Sequence, residues 1–190
     1  MIKIGILGQI GSGKSYISKL FGYPVFNADQ EVIKIYKKDK KCFNKLKKKL
    51  PDHVHSFPIK KIELQNAILN NQKNLFKINK IVHPIVRNKM KKFLIKNSNN
   101  KIVVLDVPLL LENKLNKKNY ILVYVNAKKN QIVKRLKLRK NYNSGILKKL
   151  GKFQLKLEQK RKKSDFVINN NFKRNTVIKS VRLIVGEILN

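Results

Sequence analysis

The sequence predicts an α/β fold built on a parallel sheet with helices on both faces, three layers in all, and three observations carry this expectation. Its strand-like runs are continuously apolar rather than alternating, the pattern of strands buried on both sides. Segments of helical period separate them. The first run, Ile2-Lys3-Ile4-Gly5-Ile6-Leu7, leads directly into a glycine-rich loop and then a helix-compatible segment from Tyr16 to Phe21.

The elements follow in order. Gly22-Tyr23-Pro24 turns the chain into Val25-Phe26-Asn27, a short second strand. No strand pattern occurs from Gln30 to Asn97. There Val32/Ile33/Tyr36, Leu64/Ile68/Leu69 and Ile78/Ile81/Val82 recur at helical spacing, so this stretch reads as a helical insertion. Lys37 to Lys49 forms an exposed basic face within it, Pro51 and Pro58 break it, and His83-Pro84 is expected at a helix boundary. After the polar loop Lys96–Lys101 comes the buried-type strand Ile102-Val103-Val104-Leu105, ending at Asp106. Ile121–Val125 and Phe166-Val167-Ile168 are the remaining strands. Val177, Val181, Ile184, Val185 and Ile188 put one apolar stripe on the terminal helix. With 190 residues, the expected organisation is one domain: a core of 1–29 and 101–190, an insertion of about 30–100, and a small lid of about 140–150.

Composition narrows the function. The formal charge is +35, yet the cations are mostly Lys, are spread from end to end, and accompany abundant Asn and Ile. This is the mark of a uniform compositional bias rather than of a nucleic-acid surface, so no specific nucleic-acid partner is expected. Duplex DNA should bind without sequence preference and dissociate steeply as salt rises; sequence-selective binding that persists at physiological salt would contradict this. One cysteine, Cys42, excludes an internal disulfide. The first strand begins at Ile2, so no signal peptide is expected, and no apolar run is long enough to span a membrane. A cytoplasmic monomer is the expectation. With only ten Asp and Glu residues, Asp29, Asp106 and Glu112 stand out at strand ends or loops.

The chemistry lies at the carboxyl ends of the strands, where the loops of an open parallel sheet meet a ligand. Gly8-Gln9-Ile10-Gly11-Ser12-Gly13-Lys14-Ser15 is a complete G-x-x-x-x-G-K-[ST] phosphate loop in its strand–loop–helix context. Its glycines let backbone N–H groups turn toward phosphates. Lys14, expected to face solvent, reaches the β- and γ-phosphates, and the Ser15 hydroxyl ligates Mg²⁺. The ligand implied is a nucleoside triphosphate on a P-loop NTPase-type fold. Asp29 and Asp106, after the second and third strands, can each serve a metal, its waters, or the proton of an attacking hydroxyl. Asp106 can equally be a helix N-cap. Arg135 and Arg139 share one helical face before the lid segment Asn141–Gly145, either as a solvated face or as guanidinium groups that can neutralise transferring phosphate. Read alone, His83 is a satisfied histidine rather than a ligand.

In order along nearly the whole chain, these segments resemble the dephospho-coenzyme A kinase family. The resemblance rests on Gly8–Ser15, Asn27-Ala28-Asp29, Ile78–Val86 around His83-Pro84, Asp106-Val107-Pro108-Leu109-Leu110-Leu111-Glu112, Arg135-Leu136-Lys137-Leu138-Arg139, Gln154–Lys160 and Ser164–Asn170. It implies transfer of the γ-phosphoryl of ATP, with Mg²⁺, to the ribose 3′-hydroxyl of dephospho-coenzyme A. Gly11, Ser12, Gly13, Lys14, Ser15 and Tyr16 would then cradle the triphosphate. Asp29 would orient and deprotonate the hydroxyl, with Asp106 on the metal's water shell or in the reverse role. His83, Asp106, Pro108, Leu109 and Leu110 would line the acceptor side beneath the helical insertion, Arg135 and Arg139 would close from the lid, and Asn169-Asn170 would lie in the adenine-side loop. Gln9 stands where the family has glycine, and Asn27 where it has an acid. Alternatives are a nucleoside-monophosphate-type kinase, a nucleotide-switched nucleic-acid binder, and a catalytically weakened relative.

Overall fold

A computed structural model describes residues 1–108, 110–112, 120–138, 142–151 and 154–190. Strands β1 (Ile2–Gly8), β2 (Val25–Asn27), β3 (Ile102–Asp106), β4 (Tyr120–Asn126) and β5 (Phe166–Asn169) form one sheet in the order β2-β3-β1-β4-β5, every neighbouring pair parallel. Helices α1 (Lys14–Leu20), α2 (Ala28–Lys38), α3 (Lys40–Lys49), α4 (Lys61–Asn70), α5 (Lys73–Lys96), α6 (Lys129–Lys137), α7 (Ser144–Gly151), α8 (Leu157–Lys162) and α9 (Arg174–Leu189) accompany it. β1 lies between β3 and β4, so the connections leaving it and its neighbours diverge at the phosphate loop, the switch point where open α/β sheets bind ligands.

The chain divides into two compact units, one of residues 1–27, 97–142 and 153–190 and the other of 28–96 and 143–152. In the first, alternate residues of the sheet serve its two faces. Ile4, Ile6, Ile102, Val104, Val123, Val125 and Ile168 pack with Ile17 and Phe21 of α1 and Val177, Val181 and Ile184 of α9. Val185 and Ile188 lie against this cluster, completing the stripe expected of the terminal helix. On the opposite face α8 packs against β1, and Gly5 leaves room for Leu110: a Cβ at residue 5 would lie 2.5 Å from Leu110 Cδ2. That space explains why a strand otherwise suited to β-branched residues carries a glycine.

The second unit is helical. Asp39 caps α3 by accepting from the Cys42 N–H at 2.8 Å. Cys42 and Leu46 turn inward, and the lysines around them stay in water as the basic pattern predicts. Ile33 is exposed, and α2 buries Ala28 and Ile35. The expected helix boundary at His83-Pro84 is not there, since Pro84 lies inside the 24-residue α5. An interior proline costs about 3 kcal/mol through a lost hydrogen bond and ring clash. Burying Leu75, Ile78, Val82 and Met90 along the same helix returns roughly 1.5–3 kcal/mol each, so packing carries the helix through the proline. From Asn143 onward the expected lid is also ordered into this unit. Asn143 Oδ1 accepts from the Ile146 N–H, and Lys149 Nζ donates to the Ile68 and Leu69 carbonyls at the end of α4. Among the described residues no helix is long and apolar enough to cross a membrane.

Candidate active site

The phosphate loop is held open by its own glycines and by what presses on them. Gly11 and Gly13 have φ of 87° and 94°, a region L side chains rarely adopt. A Cβ at Gly11 would meet Ile132 and Leu136 of α6 at 3.0 Å, and one at Gly13 would lie 2.4 Å from Asn170 Nδ2. Glycine is therefore required twice over, by conformation and by space. Lys14 does not face solvent as the sequence suggested. Only 9% exposed, it donates from Nζ to the carbonyls of Gly8 at 3.1 Å and Gln9 at 2.8 Å. A buried ammonium needs acceptors, and the loop's own carbonyls supply them in the space the loop encloses. Ser12 is fully buried and its Oγ has no hydrogen-bond partner among the described residues. A cradle lined by a cation and an orphaned hydroxyl fits a phosphate group.

At the end of β3, Asp106 is 3% exposed. Burial pushes its carboxyl above the usual range, while hydrogen bonds from Ser15 and Asn27 and the charge of Lys14 pull it back. Asn27 Nδ2 donates to Asp106 Oδ2 at 2.6 Å across the paired ends of β2 and β3. An acid at position 27 would set two carboxylates against each other here, whereas the amide clamps Asp106. The Ser15 hydroxyl and the Asp106 carboxylate are hard oxygen donors of the kind that suit Mg²⁺. Among the described residues no three His, Cys, Asp or Glu side chains gather to hold a metal by themselves, so an ion here would take its remaining ligands from phosphate and water.

The loop after β5 holds the phosphate loop from the other side. Asn170, 4% exposed, donates from Nδ2 to the Ser12 carbonyl at 2.8 Å and accepts the Phe172 N–H on Oδ1 at 2.8 Å. Phe172 sits at φ 62°, and the Arg135 guanidinium lies 4.5 Å from its ring centroid, a cation–π contact. Arg135 thus packs on the loop that follows β5. Asn169 turns elsewhere, accepting from Asn126 Nδ2 at 2.9 Å at the exposed sheet end. Asn170, its neighbour in the same expected adenine-side loop, is the residue that reaches the phosphate loop. Asn170→Ala should raise KM for the nucleotide by about 10-fold, the equivalent of one or two hydrogen bonds, with a smaller effect on the acceptor KM. Equal effects on both would mean general loosening of the fold.

Of the remaining expected residues, Tyr16 is exposed in the first turn of α1 and Pro108 is partly exposed after β3. Leu110 is fully buried, its Cδ2 filling the space beside Gly5. In the second unit, Asp29 is exposed in the first turn of α2. His83 lies within α5, its pKa lowered by burial and by Arg87, so the ring is neutral at neutral pH. Leu109, Arg139 and the start of the lid lie outside the described residues.

Comparison with known proteins agrees with this geometry. The family model described as dephospho-CoA kinase matches residues 2–175. The chain is 33% identical over 190 residues to dephospho-CoA kinase of Wolbachia sp. subsp. Brugia malayi, covering 97% of each. It is 30% identical over 191 residues to that of Bartonella henselae, covering 98% of this chain and 97% of the relative. Among solved structures, TT1252 from Thermus thermophilus aligns with a TM-score of 0.78 at 26% identity, covering 100% of this chain and 98% of that one. Dephospho-CoA kinase from Campylobacter jejuni aligns with 0.65 at 21%, covering 98% and 96%. Deoxyadenosine kinase from M. mycoides shares the fold, with a TM-score of 0.55 at 18% identity over 100% of each chain.

Proposed function

Because the chain belongs to the dephospho-CoA kinase family, we propose that it transfers the γ-phosphoryl of ATP to the ribose 3′-hydroxyl of dephospho-coenzyme A, giving coenzyme A and ADP. The observation that carries the reading is a complete phosphate loop with a buried lysine, set beside a clamped aspartate at the neighbouring strand end. Lys14 exchanges the Gly8 and Gln9 carbonyls for β- and γ-phosphate oxygens. Its charge then meets the negative charge that spreads over the equatorial oxygens during transfer. The Ser12 hydroxyl turns to the same phosphates. Ser15, supported by Asp106, would hold Mg²⁺, which when bound neutralises charge between the β- and γ-phosphates.

Asp29 takes the proton of the 3′-hydroxyl. A carboxyl held above its usual range, as Asp106 is, has the stronger basicity, but its oxygens already receive Ser15 and Asn27. The engagement of Asp106 with Ser15 and Asn27 is what supports Asp29 as the base in this reading. Arg135 and Arg139 complete the neutralisation of the phosphates, and neutral His83 offers the acceptor a hydrogen bond rather than a charge. The chain folds like kinases of small acceptors, so a panel of dephospho-coenzyme A, shikimate, nucleosides and nucleoside monophosphates with ATP tests the assignment. ADP release should be fastest with dephospho-coenzyme A; a preference for a nucleoside or nucleoside monophosphate would reassign the acceptor.

A further inference from the structure

Among the described residues of this lysine-rich chain, two lysines are buried. One is Lys14 in the phosphate loop. The other, Lys160 in α8, is 1% exposed and reaches Glu112 Oε1 at 2.9 Å. The same oxygen accepts the Leu155 N–H at 2.9 Å, while Glu112 Oε2 is buried with no hydrogen-bond partner among the described residues. Lys160 is itself held in place, its carbonyl accepting the Ser164 hydroxyl at 2.7 Å. Glu112 closes the segment that leaves β3 at Asp106, turns through the Leu110 N–H to Val107 carbonyl bond, and buries Val107, Leu110 and Leu111 while leaving Pro108 partly exposed.

This is a poor device for stability alone. Desolvating two charges consumes most of their attraction, and an apolar pair of the same volume often does as well or better. Loading two donors on one oxygen and, among the described residues, none on the other makes the balance worse. What the pair does supply is direction: it fixes the far end of the Asp106–Glu112 loop against α8, which packs on β1, the strand that feeds the phosphate loop. Both loops are thereby referenced to one strand. We propose that Lys160 and Glu112 are a positioning pair that sets the height of the 106–112 loop, and with it Pro108, for the acceptor nucleotide. The inference rests on the reading of that loop as the acceptor side.

The test compares the full-length protein with Glu112→Leu/Lys160→Met, which replaces the pair by apolar side chains, and with Lys160→Arg, which keeps the charge but changes its reach. Thermal midpoint, ATP Kd, and kcat and KM for dephospho-coenzyme A are measured for each. The apolar pair should fold, keep ATP Kd within twofold, and raise the acceptor KM at least about 10-fold. Lys160→Arg should raise it about threefold, and this variant decides the matter if the double variant does not fold. An acceptor KM within twofold of the parent in the folded variants, or an ATP Kd that moves in step with it, would overturn the proposal. Pro108→Glu, which sets a negative charge against a phosphorylated acceptor, separates the two levels. If it raises the acceptor KM while the pair variants do not, the pair is merely structural. If it leaves the KM unchanged, the acceptor-side reading of the loop falls, and the positioning role with it.

Discussion

Lys14→Ala should lower kcat by about 10²–10³-fold or more, the loss that follows removal of one preorganised electrostatic stabiliser of the transferring group. The structure adds two further consequences. Because the ammonium is buried and bonded to the Gly8 and Gln9 carbonyls, its removal takes one donor from each, leaving the Gln9 carbonyl with the Ser12 N–H. A cost of about 1–2 kcal/mol follows, or a few degrees in Tm for a chain of this size. The same charge holds the Asp106 carboxyl down against the upward push of burial. Without it that carboxyl rises further, so residual activity that needs the ionised form should be lost at a higher pH as the solution is acidified. Measuring kcat, Tm and the acid limb together separates these effects. A folded variant with near-parental turnover would remove the phosphate loop from the mechanism.

The two acids should separate as sharply. Asp29→Asn is expected to lower kcat by about 10²–10⁴-fold with little change in ATP affinity, the range for a lost general base. Asn27, where the family carries an acid, is already an amide engaged with Asp106, so no carboxylate at that position can substitute. Asp106→Asn should instead raise the Mg²⁺ concentration needed for half-maximal rate, because it removes the charge beside Ser15. Titrating Mg²⁺ at saturating substrates with both variants decides the assignment. An Asp29→Asn enzyme with unchanged kcat and a raised Mg²⁺ requirement would exchange the two roles.

What the sequence disclosed, and what it hid, follows from contact range. The phosphate loop is contiguous and its strand–loop–helix context local, so eight residues were enough to place it. The apolar runs and the α9 stripe report burial directly through their periodicity, and the parallel sheet follows from them. The burial of Lys14 is hidden because its acceptors are carbonyls, invisible in side-chain pattern. Resemblance puts Asn170 in the adenine-side loop, but its bond to the phosphate loop leaves no local signal because its partner Ser12 lies 158 residues away. Pro84 reads as a helix boundary by local rules, and only the packing of α5 overrides them. Leu110 lies in a run of three leucines that local pattern cannot sort into loop and core. A signal did exist in Gly5, whose missing side chain in an apolar strand marks the space Leu110 fills.

The most direct test of the central claim is ADP formation by the purified protein with ATP and Mg²⁺, using dephospho-coenzyme A and its 3′-deoxy analogue in parallel. The account predicts ADP equimolar with coenzyme A in the first reaction and none above background in the second, which lacks the oxygen to be phosphorylated. Acceptor-dependent ADP formation with the 3′-deoxy analogue, or none with dephospho-coenzyme A itself, would contradict it.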